Sequence, residues 1–351
     1  MSKRMVVAAG GTGGHIFPGI AVAQYLIARD WQVSWVGTDD RMEAEVVPKH
    51  GIEIDFIDVQ GVRGNGLMRL FKAPLMILKA FFKARHILKQ RRPNVVLTMG
   101  GYVTGPVGLA AKSLGIPLII HEQNAVAGMS NKLLAKIATQ TLGAFPGALA
   151  NNDFKVLGNP VRQSLMHIEP KQVGSPVNML VVGGSLGAKV LNDVLPGAFA
   201  ELTQSHPLAV WHQTGKARSA HVQQQYDELG LEAKVTEFID DMDAALAWAD
   251  VIVCRAGALT VSEVAAAGRM ALFVPFPHAV DDHQTANAEY LVQGEAALCM
   301  QQSDFNHSSV QQLLMPFLQQ PELMTEMGKR AKALAKLDAT AQVAKQCEQY
   351  S

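Results

Sequence analysis

Three glycine-rich stretches of the sequence could bind a phosphate or a sugar. They are GGTGGH at residues 10–15, GGSLG at 183–187 and RAGALTVSE at 255–263. Each follows a short apolar run, which predicts a tight turn from a strand into a helix whose first amides attract anions. The first stretch is not a dinucleotide fingerprint, because Ile16 stands at the last glycine position, and it is not a P-loop. The alternative for each stretch is a purely structural turn.

Polar side chains at these turns are candidates for chemistry. His15 adjoins the first turn, and its ordinary pKa of about 6.5 suits a general base. The hydroxyl of Ser185 can donate to a phosphate. Glu263 falls within the first two turns of a predicted helix, where a carboxylate can accept hydrogen bonds from two ribose hydroxyls. The competing interpretations are a histidine packed in the turn and an acid that complements the helix dipole.

Other polar clusters follow apolar runs. His121 to Asn124 come after a run at 118–120, and the glycines of 100–105 come after a run at 95–99. Ligands of open α/β sheets bind at the carboxyl ends of strands, so both clusters are candidate site residues. The polar stretch 276–287 is either a loop that lines a site or a solvated loop. Asp241 and Asp243 form a DxD pattern, for which helix capping is the better interpretation than metal binding.

The elements that position these residues alternate along the chain. Short apolar runs of strand length are separated by amphipathic stretches at 20–29, 75–89, 131–138 and 262–267. Continuous apolar strands between helices predict parallel sheets covered on both faces, hence an α/β protein. The runs lie at residues 5–9, 33–37, 95–99, 118–120, 179–182, 209–212, 251–254 and 271–275.

A weak internal repeat predicts two similar domains. VVAAGGTGGH at 6–15 and MLVVGGSLGAK at 179–189 both run from apolar strand to paired glycines to helix, about half a chain apart. A chain of 351 residues also exceeds the usual size of one core. The stretch 159–176 has three prolines and little periodicity. We therefore expect Rossmann-like domains at 1–160 and 161–351, with the C-terminal helix free to pack back on the first.

The net charge of zero hides an asymmetry. Residues 1–160 hold 18 Lys and Arg against 10 Asp and Glu, whereas residues 161–351 hold 13 against 21. The basic half should therefore face an acidic partner. The stretch 75–89 places Leu75, Leu78, Phe81 and Phe82 among basic residues, as expected of a helix on an anionic membrane surface. The alternative is a helix that packs on its own sheet.

Two features place the chain in a reducing, aqueous compartment. The three cysteines match no metal or disulfide pattern and are typical of reduced thiols in the cytoplasm. The longest nearly uncharged stretch, 102–120, contains Lys112 and two prolines, which argues against a membrane-spanning helix. Contact with a membrane surface stays open.

Seven strings together resemble the bacterial peptidoglycan N-acetylglucosaminyltransferases. These enzymes move N-acetylglucosamine from UDP-N-acetylglucosamine to a muramoyl-pentapeptide diphospho-undecaprenol lipid. The resemblance runs in one order from residue 5 to about residue 290. The strings are GGTGGHIFPG (10–19), MGGYVTGP (99–106), HEQNAVAG (121–128), GNPVR (158–162), VVGGSLGA (181–188), TEFIDDM (236–242) and CRAGALTVSE (254–263).

The resemblance implies a GT-B fold, in which two Rossmann-like domains with parallel sheets face each other across a cleft. It implies an inverting transfer to the acceptor's 4-hydroxyl, with no cofactor and no nucleotide-bridging metal. The first domain would receive the lipid acceptor and the second the donor. The enzyme would lie peripherally on the cytoplasmic face of the inner membrane, with other cell-wall synthesis proteins as candidate partners and no nucleic acid.

The resemblance also assigns roles residue by residue. Glu263 would bind the ribose, and the backbone near Ile239 the uracil. His15 or Glu122 would take the acceptor's proton. The remaining contacts would come from Ser185, Ala258, Leu259, Thr260, Val261 and Ser262 at the diphosphate, from Asn124, Arg162 and Gln284 at the sugar or diphosphate, and from Thr12, Gly13 and Gly14 facing the donor.

Three other functions remain open at this stage. A UDP-sugar epimerase of the same fold would need no acceptor. An NAD oxidoreductase could use Asp39, roughly 20 residues past the first turn, to bind a ribose. A nucleotide-sensing scaffold at the membrane would bind nucleotide without turnover. Fold alone does not discriminate among these functions.

Overall fold

The computed structural model describes residues 3–59, 67–149, 153–169, 171–184 and 187–351, with only the backbone described for 67–73 and 280. The chain divides into two compact units. The first comprises Met1–Val161 together with Lys336–Ser351, and the second comprises Arg162–Ala335. Each unit contains one parallel sheet flanked by helices, so the α/β prediction is confirmed.

The first unit contains a seven-stranded sheet. Its strands lie in the order β3-β2-β1-β4-β5-β6-β7, and every described pair is parallel. The elements are β1 (Arg4–Ala9), α1 (Gly13–Ile27), β2 (Gln32–Gly37), α2 (Met42–Lys49), β3 (Glu53–Phe56), α3 (Leu67–Arg91), β4 (Val95–Gly100), α4 (Thr104–Ser113), β5 (Leu118–Glu122), α5 (Met129–Leu134), β6 (Gln140–Gly143) and β7 (Phe154–Val156).

The second unit contains a six-stranded parallel sheet in the order β10-β9-β8-β11-β12-β13. Short 3₁₀ helices occupy Gln163–His167 and Val280–Asp282. Its other elements are β8 (Val177–Val182), α6 (Lys189–Leu202), β9 (Leu208–Gln213), α7 (Ser219–Glu228), β10 (Ala233–Thr236), α8 (Met242–Trp248), β11 (Val251–Cys254), α9 (Ala258–Ala267), β12 (Met270–Phe273), α10 (His283–Val292), β13 (Leu298–Cys299), α11 (His307–Gln319) and α12 (Glu322–Leu334).

The last helix, α13 (Ala339–Glu348), belongs to the first unit although it follows the whole second unit in sequence. Val343, Ala344 and Cys347 are fully buried in the same apolar cluster as Leu26 and Trp35. The opposite face of the first sheet has its own cluster, which includes Ala80, Ala84 and Leu88 of α3. Both faces of the sheet are therefore covered, as its continuous apolar strands require.

Each sheet has one point where the strand order reverses. In the first sheet that point lies between β1 and β4, and in the second it lies between β8 and β11. Ligands of doubly wound sheets bind outside the carboxyl ends of the strands at such a point. The three glycine-rich stretches follow β1, β8 and β11, so all three border a reversal of strand order.

Candidate active site

The first glycine turn packs tightly against the end of β4. The amide of Gly10 donates to the carbonyl of Gly100 over 3.3 Å. Gly101 has a φ of +90°, and a Cβ atom there would lie 2.2 Å from the carbonyl oxygen of Gly10. Only glycine tolerates such an approach at a positive φ. The backbone at the end of β1 therefore lies in direct contact with the backbone at the end of β4, at the point where the strand order reverses.

His15 packs against the ends of β1 and β4. Its Nδ1 donates to the carbonyl of Gly10 over 3.3 Å, and its ring packs against Gly100, where an added Cβ would lie 2.6 Å from the ring's Cδ2. Because a carbonyl can only accept, Nδ1 carries the proton in the neutral ring and the lone pair is on Nε2. In this tautomer Nε2 is the nitrogen that can accept a proton.

Thr12, Gly13 and Gly14 form the start of α1. Thr12 is the N-cap in extended conformation, its side chain makes no capping hydrogen bond, and it is exposed. Gly13 and Gly14 are the first two helical residues, whose amides have no acceptor within the helix. The three predicted residues therefore lie together at a helix N-terminus, which is the place for an anionic or strongly polar ligand group.

Glu122 is the last residue of β5 rather than part of a loop beyond it, and it is 2% exposed. One carboxylate oxygen accepts from the amide and the side chain of Asn124 at 3.0 and 3.3 Å. The other accepts from the amide of Gly128 at 3.0 Å and from Asn131 Nδ2 at 2.9 Å. A carboxylate bound by four N–H groups holds the loop after β5. Its geometry fits a positioning residue better than the predicted general base.

His121 is fully buried beside Glu122. Its Nε2 donates to the carbonyl of Gly158 over 2.9 Å, and its Nδ1 accepts from Gln123 Nε2 over 3.2 Å. Burial lowers the pKa of His121 to about 4. This histidine is therefore neutral at physiological pH and joins β5 to the segment after β7, while Asn124 stays half-buried at the edge of the sheet.

The second glycine turn follows β8. Gly184 and Gly187 have φ values of +79° and +72°, and a Cβ at Gly187 would lie 2.1 Å from the carbonyl oxygen of Thr214. The turn leads into α6, whose N-cap is Ala188. Ser185, predicted to contact the diphosphate, lies outside the described residues. The backbone on either side of it nevertheless forms the predicted strand, turn and helix.

The third glycine turn places a helix N-terminus after β11. Gly257 is the N-cap of α9, so the amides of Ala258, Leu259 and Thr260 form the first helical turn. Further along, the amide of Val261 bonds the carbonyl of Gly257 over 2.9 Å, and its side chain is buried. The hydroxyl of Ser262 donates back to the carbonyl of Ala258 over 3.0 Å. Among the predicted residues, those of the first turn are best placed for a diphosphate.

Glu263 lies on α9 as predicted, within its second turn, and its side chain is 15% exposed. Arg162 Nη2 donates to Glu263 Oε1 over 2.8 Å, and Arg162 Nη1 lies 3.2 Å from Asp243 Oδ1. Burial raises the pKa of Glu263, partly offset by the charge of Arg162. Burial acts to lower the pKa of Arg162, but Glu263 and Asp243 outweigh it and raise the pKa above its ordinary value.

The polar stretch 276–287 follows β12 and therefore lies at the carboxyl ends of the strands of the second sheet. Gln284, in the first turn of α10, accepts from the amide of Phe276 at its Oε1 over 2.9 Å. Asn287 Nδ2 donates to the carbonyl of Ala256, just before α9, over 3.1 Å. Asp281 and Asp282 both have left-handed φ values, of +54° and +49°. The stretch is thus a short loop that runs into the start of α10, and Asn287 holds it against the third glycine turn.

Ile239 lies half-buried between β10 and α8. Two residues later, Asp241 caps α8 by accepting from the amide of Ala244 over 2.9 Å, which confirms the capping interpretation of the DxD pattern. Asp243 pairs with Arg162 and with the hydroxyl of Ser164. Within the described part of the chain, no three His, Cys, Asp or Glu side chains are grouped as metal ligands.

The predicted residues therefore fall into two sets, one in each unit. In the first unit, Thr12–His15 follow β1, and Glu122–Asn124 begin at the last residue of β5, so both groups lie at the carboxyl ends of strands around the β1/β4 reversal. In the second unit, Ile239, 258–263 and Gln284 follow strands of the edge around the β8/β11 reversal, and Arg162 joins them through Glu263. Sequence reasoning missed Glu43 and Gln213, two buried side chains that bond directly to the glycine turns.

Comparison with known proteins defines the class. Residues 5–142 match the glycosyltransferase family 28 N-terminal domain, and residues 178–343 match the family 28 C-terminal domain. The chain belongs to glycosyltransferase family 28. The resemblance suggested by the seven sequence strings, to glycosyltransferases, is thereby confirmed.

Individual members of the family are similar to this chain over almost its whole length. The chain is 62% identical to a Pseudoalteromonas translucida protein named UDP-N-acetylglucosamine--N-acetylmuramyl-(pentapeptide) pyrophosphoryl-undecaprenol N-acetylglucosamine transferase, over 100% of this chain and 99% of that protein. A Shewanella denitrificans protein of the same name is 51% identical, over 100% and 98%. The crystal structure of Acinetobacter baumannii MurG is 44% identical with a TM-score of 0.87, over 99% of both chains.

Structural likeness alone would not have separated these enzymes from epimerases. A solved UDP-N-acetylglucosamine 2-epimerase matches 99% of this chain and 95% of its own with a TM-score of 0.69, but at 13% identity. At that identity the likeness shows the fold alone.

Proposed function

We propose that this chain transfers N-acetylglucosamine from UDP-N-acetylglucosamine to the 4-hydroxyl of a muramoyl-pentapeptide diphospho-undecaprenol lipid. The names of its relatives supply the two substrates. One observation of the site carries the proposal: a helix N-terminus and a largely buried carboxylate, Glu263, lie on the same helix beside Arg162. Amides and a guanidinium suit a diphosphate, and a carboxylate suits the vicinal hydroxyls of a ribose.

On the donor side, the first-turn amides of α9 would bind the diphosphate. Glu263 would accept from the ribose, and the backbone at Ile239 would meet the uracil. Gln284 and Asn124 are the proposed contacts to the sugar, and Arg162 is the proposed partner of the leaving phosphate. As the bond to the sugar breaks, negative charge grows on UDP, and the amides and Arg162 stabilise it in place. Ser185 stays a proposed phosphate contact.

On the acceptor side, His15 is the proposed base. The acceptor's 4-oxygen forms a bond to the anomeric carbon, the bond from that carbon to the phosphate oxygen breaks, and UDP leaves with the electron pair. The hydroxyl proton passes to Nε2 of His15, whose lone pair is fixed by the bond from Nδ1 to Gly10. The linkage inverts to β because attack and departure occur on opposite faces. Thr12, Gly13 and Gly14 are proposed to contact the sugar being transferred.

The first unit also presents a face suited to an anionic lipid surface. On α3, Ala80, Ala84 and Leu88 are buried, whereas the outward side exposes the apolar residues Leu75, Ile77, Leu78 and Phe82. Leu109 of α4 and Met129 and Leu133 of α5 are exposed as well. None of the helices in the described residues is both long enough and apolar enough to cross a bilayer.

Exposed lysine side chains of α3 lie between these apolar side chains. Lys79, Lys83 and Lys89 are exposed on α3, so the helix both packs on its sheet and presents an apolar, basic surface. Such a surface gains about 1 kcal/mol per basic residue near an anionic membrane. We infer a peripheral attachment to the cytoplasmic face of the plasma membrane, where the lipid acceptor would be reached.

Turnover of a soluble lipid-acceptor analogue with UDP-N-acetylglucosamine tests the reaction. The expected product is a β-1,4-linked disaccharide on the lipid, formed together with UDP. A binding panel of UDP-N-acetylglucosamine, UDP-glucose, UDP-N-acetylgalactosamine and NAD should rank the first donor highest. Equal affinity for all four, or release of a free altered sugar without acceptor, would overturn the proposal and favour the epimerase or another function.

A further inference from the structure

Two buried side chains that take no part in the proposed chemistry bond directly to glycine turns. The first is Glu43, a fully buried carboxylate in the first turn of α2. Its Oε1 accepts from the amide and the hydroxyl of Thr38 at 3.1 and 2.8 Å, and its Oε2 accepts from the amide of Gly11 at 3.0 Å. Gly11 has a φ of +95°, so this carboxylate fixes the turn at its left-handed residue.

The second is Gln213, the last residue of β9, which is 3% exposed. Its Oε1 accepts from the amide of Gly184 at 2.9 Å. Its Nε2 donates to the carbonyl of Gly184 at 3.0 Å and to the carbonyl of Glu237 at 2.6 Å. Gly184 has a φ of +79°. One side chain thus binds both backbone groups of the left-handed residue and ties the turn to the segment that leads to Ile239.

Both contacts leave little room for adjustment. A Cβ added at Gly10 would lie 2.4 Å from Glu43 Oε1, and the side chain of Gln213 bonds both the amide and the carbonyl of Gly184. Buried polar groups must keep their hydrogen bonds, because an unpaired one costs about 1–3 kcal/mol. The direction of the Gly11 amide therefore depends on Glu43, and that of the Gly184 amide on Gln213.

A buried network supports Gln213 from the other side. His212 bonds Asn192 Oδ1 at 3.0 Å and the hydroxyl of Tyr226 at 2.9 Å. Asn192 Nδ2 in turn donates to the carbonyl of Thr214 at 3.1 Å. The strand end 212–214 is therefore held against α6, the helix that the second glycine turn begins.

We propose that Glu43 and Gln213 are positioning residues that act separately, Glu43 on the acceptor side and Gln213 on the donor side. Each orients the amides of one glycine turn without touching substrate. The proposal rests on the proposed function, which assigns the acceptor to the first unit and the donor to the second. Its consequence is that affinity for UDP and affinity for the acceptor can be lost separately.

Glu and Gln have nearly the same side-chain shape but differ in one terminal atom. Exchanging one for the other at position 43 or 213 therefore replaces an acceptor by a donor, or a donor by an acceptor, at constant shape. In E43Q, an amide nitrogen must face the N–H of Gly11 or the donors of Thr38, so one donor opposes another. In Q213E, a carboxylate oxygen must face the carbonyls of Gly184 and Glu237, so acceptors oppose one another. The turn has to move in both variants, although the side-chain volume is unchanged.

The test measures the KM values for donor and acceptor analogue, together with UDP binding by calorimetry, in the full chain. Q213E should raise the UDP Kd by about 10-fold with the acceptor KM unchanged, whereas E43Q should raise the acceptor KM by about 10-fold with the UDP Kd unchanged, as expected for one inverted buried bond. The donor KM does not separate the two variants, because Thr12, Gly13 and Gly14 of the first turn are proposed to contact the sugar of the donor. The proposal is wrong if both variants raise the UDP Kd and the acceptor KM alike, or if neither quantity changes. A wild-type chain that neither binds UDP nor turns over would instead contradict the proposed function.

A second pair of variants covers the case in which E43Q or Q213E does not fold. G11A and G184A place a methyl group where no atom of the described residues lies within 4 Å, so the expected effect is backbone strain at a positive φ. They should reproduce the same separated pattern, and equal changes in the UDP Kd and the acceptor KM would count against the proposal. N178A is the matched control. It removes a 2.9 Å bond to Trp248 at the opposite end of β8, and it should lower the midpoint of unfolding without changing either KM.

Discussion

Arg162 Nη2 lies 2.8 Å from Glu263 Oε1, while Nη1 of the same guanidinium lies 3.2 Å from Asp243 Oδ1. One cation therefore joins the proposed ribose-binding carboxylate to a second acid on α8. A carboxylate that is mostly withdrawn from water tends to take up a proton, and the neighbouring guanidinium opposes this. The ion pair opposes the effect of burial and favours the ionised form of Glu263, which can accept two hydroxyl hydrogen bonds.

The first prediction concerns the pH dependence of donor binding. Burial raises the pKa of Glu263 above its ordinary value, so affinity for UDP should fall on acidification from a higher pH than a solvated glutamate would give. R162Q removes the charge that lowers this pKa, so the acid limb should move to still higher pH. Calorimetry of UDP binding from pH 5 to 8 measures the pH at which the affinity for UDP begins to fall. R162K keeps the charge and should leave the limb near its wild-type position; an unmoved limb in R162Q would contradict the role of the pair.

The second prediction concerns His15. H15A should lower kcat by about 10²–10⁴-fold, the usual contribution of a general base, and leave the UDP Kd unchanged. His121 is not an alternative base, because it is fully buried with Nε2 bonded to the carbonyl of Gly158. A wild-type kcat in H15A would exclude His15 as the base.

The third prediction separates a positioning role of Glu122 from a role as base. E122Q replaces one carboxylate oxygen by an amide group that must face N–H donors, which should destabilise the first unit by about 1–3 kcal/mol. The midpoint of denaturant unfolding should fall, and kcat should change by less than about 10-fold, well below the loss expected for a base. The converse result, a large loss of kcat at unchanged stability, would restore Glu122 as the base.

The fourth prediction concerns acid stability. Burial lowers the pKa of His121 to about 4 and that of His212 to about 3. The unfolded chain binds these protons below about pH 6.5 and the folded chain does not, so stability present above pH 6.5 is lost as the pH falls. Each histidine should contribute a slope of about 1.4 kcal/mol per pH unit.

Denaturant unfolding at pH 7, 6 and 5 measures this slope. H212Q should remove the contribution of His212 in the second unit and leave that of His121 in the first. The difference between variant and wild type isolates one histidine, because the other titrating groups are common to both. An identical slope in the two proteins would mean that His212 is protonated in the folded state.

The fifth prediction concerns the membrane surface. Replacing Lys79 and Lys83 by Glu should weaken binding to vesicles that contain anionic lipid by more than about 10-fold, given about 1 kcal/mol per basic residue. Changing Lys329 and Arg330 of α12 to Glu alters the net charge equally in the second unit and should have little effect. Equal losses in both double variants would reduce the effect to net charge.

The sequence predicted the central strands of both sheets and missed those at their edges. Strands such as β4 and β11 are buried on both faces, so they are continuous apolar runs and can be recognised. The missed strands are β3, β6, β7, β10 and β13, all at or next to a sheet edge. Edge strands are partly exposed and mix polar with apolar residues, as in AKVT of β10, so periodicity does not identify them.

The candidate site was predictable wherever it depends on local geometry. The turns after β1, β8 and β11 follow from glycines that end an apolar run, and the position of Glu263 on α9 follows from the length of that turn. The partners of buried polar groups were not predictable. Glu43 bonds a residue 32 positions earlier, and Gln213 one 29 positions earlier. A lone Glu or Gln in the sequence gives no sign of which backbone group it will meet.

The return of α13 to the first unit has a consequence for biosynthesis. Val343, Ala344 and Cys347 complete a core whose other members lie before residue 143, and the whole second unit is encoded in between. On the ribosome, the second unit has all its strands and helices before the first unit has its last one. The core of the first unit therefore stays incomplete, and part of the α1 surface stays uncovered, until residues 343–347 have been synthesised. A domain that begins first is thus the one that finishes folding last.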